Sequence, residues 1–199
     1  MTSETATRNA RLLGAAEGYE TLTETAFDAP FAELGATLAT ARKQAADVRT
    51  LLSPDAAGRL DALAAEIDGA LQRQDRRATA IAAVESYRAL VSAQDASALV
   101  PVEVSLLDYA GFKYDAFVKA RPPDWDQMAN VVAYARDTWA RLAPRVAAKG
   151  LRGAFESTLS GMDTAVREKN ELAARLAVSD QLALVDALEE HFTSTRSAQ

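Results

Sequence analysis

The chain has 199 residues, 49% of them hydrophobic and 25% charged, with a formal net charge of -6. That length suffices for one large or two small cores, and the composition is that of a globular chain rather than a disordered one. The acidic balance argues against nucleic acid and anionic membrane surfaces as partners, and zero cysteines exclude disulfides, thiolate zinc sites, iron–sulfur clusters and covalent haem.

Taken from the start, Met1-Thr2-Ser3-Glu4 lacks a basic segment followed by an apolar one, so no signal peptide is expected. The sequence leaves the compartment open between the cytoplasm and, if a leader has been removed, the periplasm or exterior. Leu12, Ala16, Tyr19, Leu22 and Ala26 form an apolar stripe that predicts a helix over 6–28. Pro30 suits the first turn of a second helix. Its stripe runs Phe31, Leu34, Leu38, Ala41, Ala45, Val48 and Leu52. Ser53-Pro54-Asp55 breaks that pattern and offers a cap for the next helix, with stripe Leu60, Leu63, Ile67 and Leu71. The polar run 72–77 reads as a turn with Asp75 as N-cap, and periodicity resumes from Ala78 to Val91.

Residues 94–101 read as a connection and 102–120 as a helix ending before Pro122-Pro123. Asp124 is placed to cap a helix with stripe Trp125, Met128, Val132, Ala135, Trp139, Leu142 and Val146. Pro144 is expected to kink or shorten it, and Lys149-Gly150 to end it. Phe155, Leu159, Met162 and Val166 mark another helix, Glu168-Lys169-Asn170 a break, and Leu172 to Phe192 a last helix. No apolar run reaches the roughly 18 residues of a membrane span, so membrane insertion is not expected.

Breaks and stripes recur. A shift of 94 sets Phe31 on Trp125, Leu38 on Val132 and Arg42 on Arg136. A shift of 95 sets Tyr19 on Tyr114, Leu60 on Phe155, Ile67-Asp68 on Met162-Asp163 and Asp75 on Asn170. The expected fold is therefore all-α: antiparallel helical bundles, two similar three- or four-helix units from an internal duplication. Their ranges are 1–98 and 99–199, as two domains or merged around one core.

Function is less legible. His191 is the only histidine, follows Glu189-Glu190, and reads as a surface residue. Leu188 stands where a Glu-x-x-His pair would need glutamate, so a ferritin-like di-iron site is not expected. There is no Gly-x-Ser-x-Gly and no phosphate-binding glycine loop, and no acid–base pairing emerges. An enzyme is thus not expected, nor any cofactor. Asp108, Asp115, Asp180 and Asp186 flank apolar stripes and are the carboxylates a metal-binding bundle would use.

Residues 109–139 hold seven of the thirteen aromatics, with Lys113 and Arg136 interleaved. Aromatics with a few polar groups line small-ligand pockets, and they also fill volume between alanine-rich helices. The first half lacks them: Thr40 stands against Tyr134 and Ala45 against Trp139. The expected function is a non-enzymatic binding or sensing module for a small molecule or protein partner. The candidate site is Tyr109, Lys113, Tyr114, Tyr134, Arg136 and Trp139. The alternatives are a carboxylate-based metal-binding bundle and a structural or interaction adaptor.

Overall fold

Side-chain caps start the helices where polar residues interrupt the apolar stripes. The Ser53 hydroxyl accepts a hydrogen bond from the Ala56 amide at 3.2 Å and the Asp75 carboxylate from the Ala78 amide at 2.9 Å. Asp124 accepts from the Gln127 amide at 3.2 Å, and Asn170 from the Ala173 amide at 3.0 Å. Each bond satisfies one of the amides that a helix start leaves unpaired, worth about 1 kcal/mol.

In the computed structural model, which describes residues 3–95 and 99–197, these caps delimit eight α-helices and no strand among the described residues. They are α1 (Ser3–Thr25), α2 (Phe31–Asp47), α3 (Pro54–Gln72), α4 (Arg76–Val91), α5 (Val102–Lys119), α6 (Trp125–Leu142), α7 (Lys149–Glu168) and α8 (Glu171–Ser197). None is long and apolar enough to cross a membrane. The connection expected over 94–101 falls partly on 96–98, outside the described residues.

The expected first helix over 6–28 lies three residues earlier. It closes at Thr25, whose carbonyl accepts from the Asp28 and Ala29 amides, and Pro30 then begins α2. The stripe from Phe31 to Leu52 ends as α-helix at Asp47 and continues as a 3-10 turn, Arg49–Leu51. Pro144 shortens α6: the helix stops at Leu142 and a 3-10 turn, Ala143–Arg145, follows. Proline has no amide to donate, and its ring collides with the carbonyl four residues back. Lys149-Gly150 does not end α6. The break lies upstream at Pro144 to Ala148, and Lys149 opens α7, where the Ala148 carbonyl accepts from the Arg152 amide. A glycine in a first turn loses less than one in a helix interior, and nothing packs within 4 Å of where a Gly150 side chain would project.

The chain divides into two compact units, Met1–Ala98 and Leu99–Gln199. In the first, α1 packs on α2 and α4, and α3 on α4, while α2 and α3 are more loosely apposed. Leu12, Tyr19, Leu22, Leu34, Ile67 and Leu90 are its largest fully buried side chains. Polar clamps tie its ends. Asn9 is buried and pairs through its amide group with both the N–H and the carbonyl of Asp95, while Arg8 donates to the Ala93 and Leu51 carbonyls. At the opposite end Arg76 donates to the Ala26 and Ala29 carbonyls. These cations take up carbonyls that helix ends and turns leave without partners.

In the second unit, α5 packs on α6 and α8, α7 on α8, and α6 less extensively on α7. Gly111 allows α5 and α8 to approach closely. A Cβ there would stand 2.1 Å from Gln181 Oε1 and 2.5 Å from Leu182 Cδ2. The fully buried Gln181 uses this proximity to donate to the Leu107 carbonyl at 2.9 Å.

The turn between the third and fourth helices is built alike in both units. Gln74 and Lys169 both adopt left-handed backbone, with φ of 55° and 50°. The Asp75 amide donates to the Ala70 carbonyl, and the Asn170 amide to the Ala165 carbonyl, each at 2.9 Å.

Candidate functional site

The aromatic-rich residues of the second unit fall into two contact groups. Tyr109 on α5 is buried, and its ring meets the edge of Tyr134 on α6 at 5.4 Å and 82°. The Lys113 ammonium donates to the Tyr109 hydroxyl at 2.9 Å and stands 5.4 Å from the same ring's centre. Lys113 and Tyr134 are half-buried. These three are brought together.

Tyr114, Arg136 and Trp139 belong to the α6–α7 seam. Tyr114 is fully buried and donates to the Met162 carbonyl at 3.2 Å. Burial, reinforced by Asp163, raises its pKa far above that of an ordinary phenol. Trp139 is buried and stacks on Phe155, with ring centres 4.4 Å apart and planes at 18°. Among the described residues its buried indole N–H has no hydrogen-bond partner. Arg136 is exposed, donates to the Leu159 carbonyl at 3.5 Å and lies 4.0 Å from Asp163. Trp139 and Phe155 thus plug the space between α6 and α7.

The corresponding space in the first unit is open. At the sequence shifts of 94 and 95, Ala45 on α2 aligns with Trp139 and Leu60 on α3 with Phe155. Two large rings are replaced by a methyl and an isobutyl group. Between α2 and α3 lies a groove of about 300 Å³, lined by Tyr19, Arg42, Ala45, Arg49, Leu60 and Asp61 together with Ala46 and Ala64.

Two ion pairs bridge the gap on either side of it. Arg42 makes a bidentate pair with Asp68, at 3.1 and 2.5 Å, and donates to the Ala64 carbonyl at 2.8 Å. At the start of the 3-10 turn that follows α2, Arg49 makes a bidentate pair with Asp61, both bonds 2.7 Å. This register follows from antiparallel helices: partners move backward along α3 as they move forward along the α2 segment. The second unit keeps the first bridge in looser form, as Arg136 with Asp163 and the Leu159 carbonyl. Ala143 and Glu156 stand where Arg49 and Asp61 would pair, so the second bridge has no counterpart.

The groove's floor is Tyr19. The residue is only 1% exposed and lines the groove, yet among the described residues its hydroxyl makes no hydrogen bond. Its counterpart Tyr114 is held by a backbone carbonyl. Burial raises the Tyr19 pKa; the nearby Arg42 lowers it and Asp61 raises it, so both charges act at the hydroxyl. A hydroxyl that lines the groove without a protein acceptor can donate to a ligand, a hydrogen bond worth about 0.5–1.5 kcal/mol net.

None of these groove residues was among the site residues expected from the sequence; Tyr19, Arg42, Ala45 and Leu60 entered only through the repeat. The signal for the groove was the pairing of Tyr19 with Tyr114 at a place where Ala45 replaces Trp139. The flanking carboxylates are dispersed. Asp115 pairs with Lys119 at 2.7 Å, while Asp180 and Asp186 are exposed. Among the described residues no three His, Asp or Glu side chains are grouped to hold a metal ion. Compared with known proteins, the chain matches no family model, no curated protein and no solved structure.

Proposed function

We propose that the chain is a non-enzymatic helical binding module, arisen by duplication of a four-helix unit, whose first unit takes a small ligand between α2 and α3. The duplication is supported by the matching left-handed turns, the matching Asp75 and Asn170 caps, and the Arg42 and Arg136 bridges to equivalent positions. The observation that carries the binding reading is Tyr19, a buried residue that lines the groove and whose hydroxyl, among the described residues, makes no hydrogen bond. Pockets of this kind join an apolar lining to a few convergent polar groups, and about 300 Å³ is at the small end of their range. In this reading the second unit is the filled copy, in which Trp139 and Phe155 occupy the ligand's place.

A second reading puts the ligand in the second unit, at Tyr109, Lys113 and Tyr134. It is favoured by the ammonium that meets a phenol there at half-buried positions. An amide-resolved NMR screen of small polar compounds separates the two. The first reading expects shifts clustered at Tyr19, Ala45 and Ala64 that vanish in Tyr19→Phe and persist in Lys113→Ala. Shifts confined to Tyr109 and Tyr134 would overturn it in favour of the second. A screen that moves neither cluster at millimolar concentration would overturn both.

A further inference from the structure

We infer that the α2–α3 groove recognises a carboxylate carried on a small apolar body, an inference that rests on the groove being the binding site. The lining contains two guanidinium groups, from Arg42 and Arg49, and one carboxylate, from Asp61; Asp68 is not part of it. Asp68 nevertheless pairs directly with Arg42, so the two guanidinium charges are balanced by two carboxylates, and what the groove offers is unused N–H donors rather than net charge. Of the two charges that act on the Tyr19 hydroxyl, that of Arg42 is the stronger.

Donors also outnumber acceptors on this surface. A guanidinium carries five N–H donors. Arg42 uses three, on Asp68 and the Ala64 carbonyl, and Arg49 uses two, on Asp61. The Tyr19 O–H adds a donor with no protein acceptor. Arg42 is fixed from behind by Asp68, so its guanidinium is held beside the groove before any ligand arrives. Arg49 and Asp61 are more than half exposed, at 52% and 60%. Such a pair contributes little in water, so Arg49 can exchange Asp61 for a ligand carboxylate at small loss. Ala45, Ala46, Ala64 and Leu60 supply an apolar lining for a short hydrocarbon.

The ligand would thus place one carboxylate oxygen toward the Tyr19 hydroxyl, the other toward Arg49, and its hydrocarbon along the alanines. A charge-assisted hydrogen bond is worth about 1.5–3 kcal/mol, which corresponds to roughly a tenfold to hundredfold change in affinity.

The test is an amide-resolved NMR titration of the full chain at low ionic strength with pentanoate, pentanol and pentylammonium, probes of equal chain length and different head group. Pentanoate is expected to shift the amides around Tyr19, Ala45 and Ala64 with at least a tenfold lower Kd than pentanol. Arg49→Ala is expected to weaken pentanoate at least tenfold and to bring it toward the affinity of pentanol. Equal affinity of pentanoate and pentanol at those amides would overturn the carboxylate inference and leave the groove standing. Tightest binding of pentylammonium would overturn it too, and would assign Asp61 as the recognising group. No shift at those amides with any probe would overturn the groove itself.

Discussion

Replacing Trp139 separates a packing role from a binding role. The indole is 5% exposed and stacked on Phe155. A buried tryptophan removes about 150–250 Å² from water, which at about 25 cal/mol per Å² is roughly 4–6 kcal/mol as an upper bound. Relaxation of the neighbours reduces this, and aromatic-to-alanine changes in cores fall at about 3–5 kcal/mol. Trp139→Ala is therefore expected to destabilise the protein by about 3–5 kcal/mol. Trp139→Phe should behave differently. It retains a ring against Phe155 and removes an indole N–H that is buried without a partner, a group disfavoured by about 1–3 kcal/mol. That gain offsets the smaller apolar area, so Trp139→Phe is expected within about 1 kcal/mol of the unmodified chain. Urea denaturation followed by far-ultraviolet circular dichroism measures both, with the slope checked for constancy. The reasoning is refuted if Trp139→Ala loses under about 1 kcal/mol, or if the two variants lose equal amounts.

The glycines of α1 predict opposite signs one turn apart. A Cβ at Gly14 meets nothing within 4 Å, so Gly14→Ala should gain up to about 1 kcal/mol from helix propensity. A Cβ at Gly18 would stand 2.9 Å from the Ala41 Cα and 2.8 Å from its Cβ, so α2 itself must move. Gly18→Ala should lose about 1–2 kcal/mol net, overpacking outweighing propensity, and a melting temperature equal to that of Gly14→Ala would contradict this. At the left-handed residues, Gln74→Gly and Lys169→Gly should each raise stability by about 0.5–1 kcal/mol by relieving backbone strain. Denaturation midpoints that do not rise would argue against left-handed geometry in those turns.

The helices were legible because each buries one face, and burial imposes a spacing of three and four on apolar residues. Leu34, Leu38, Ala41 and Ala45, read from the sequence as one stripe, are all buried along α2. Asp75 and Asp124 were legible as caps because their short side chains reach the next turn's amide in few other settings, whereas Ser53-Pro54-Asp55 offered two candidates, of which Ser53 makes the bond. Lys149-Gly150 misled because glycine is tolerated at either end of a helix, and only the distance from Pro144 decides which end it marks. The groove was illegible for a different reason. Whether Ala45 facing α3 gives contact or a gap depends on the separation of the helix axes, which no periodicity encodes. Aromatics are equally ambiguous: Tyr109 and Tyr134 meet beside an ammonium, while Trp139 fills a seam.

The paired tyrosines give each molecule its own internal reference. In the proposed duplication Tyr19 and Tyr114 hold matching places, Tyr19 lining the α2–α3 groove and Tyr114 bonded to the Met162 carbonyl near the stacked Trp139 and Phe155 rings. A solute that disturbs general helix packing acts on both phenols alike. One that selects the groove acts on Tyr19 alone, and the ratio of the two responses in a single sample reports recognition, free of differences in concentration, buffer or preparation.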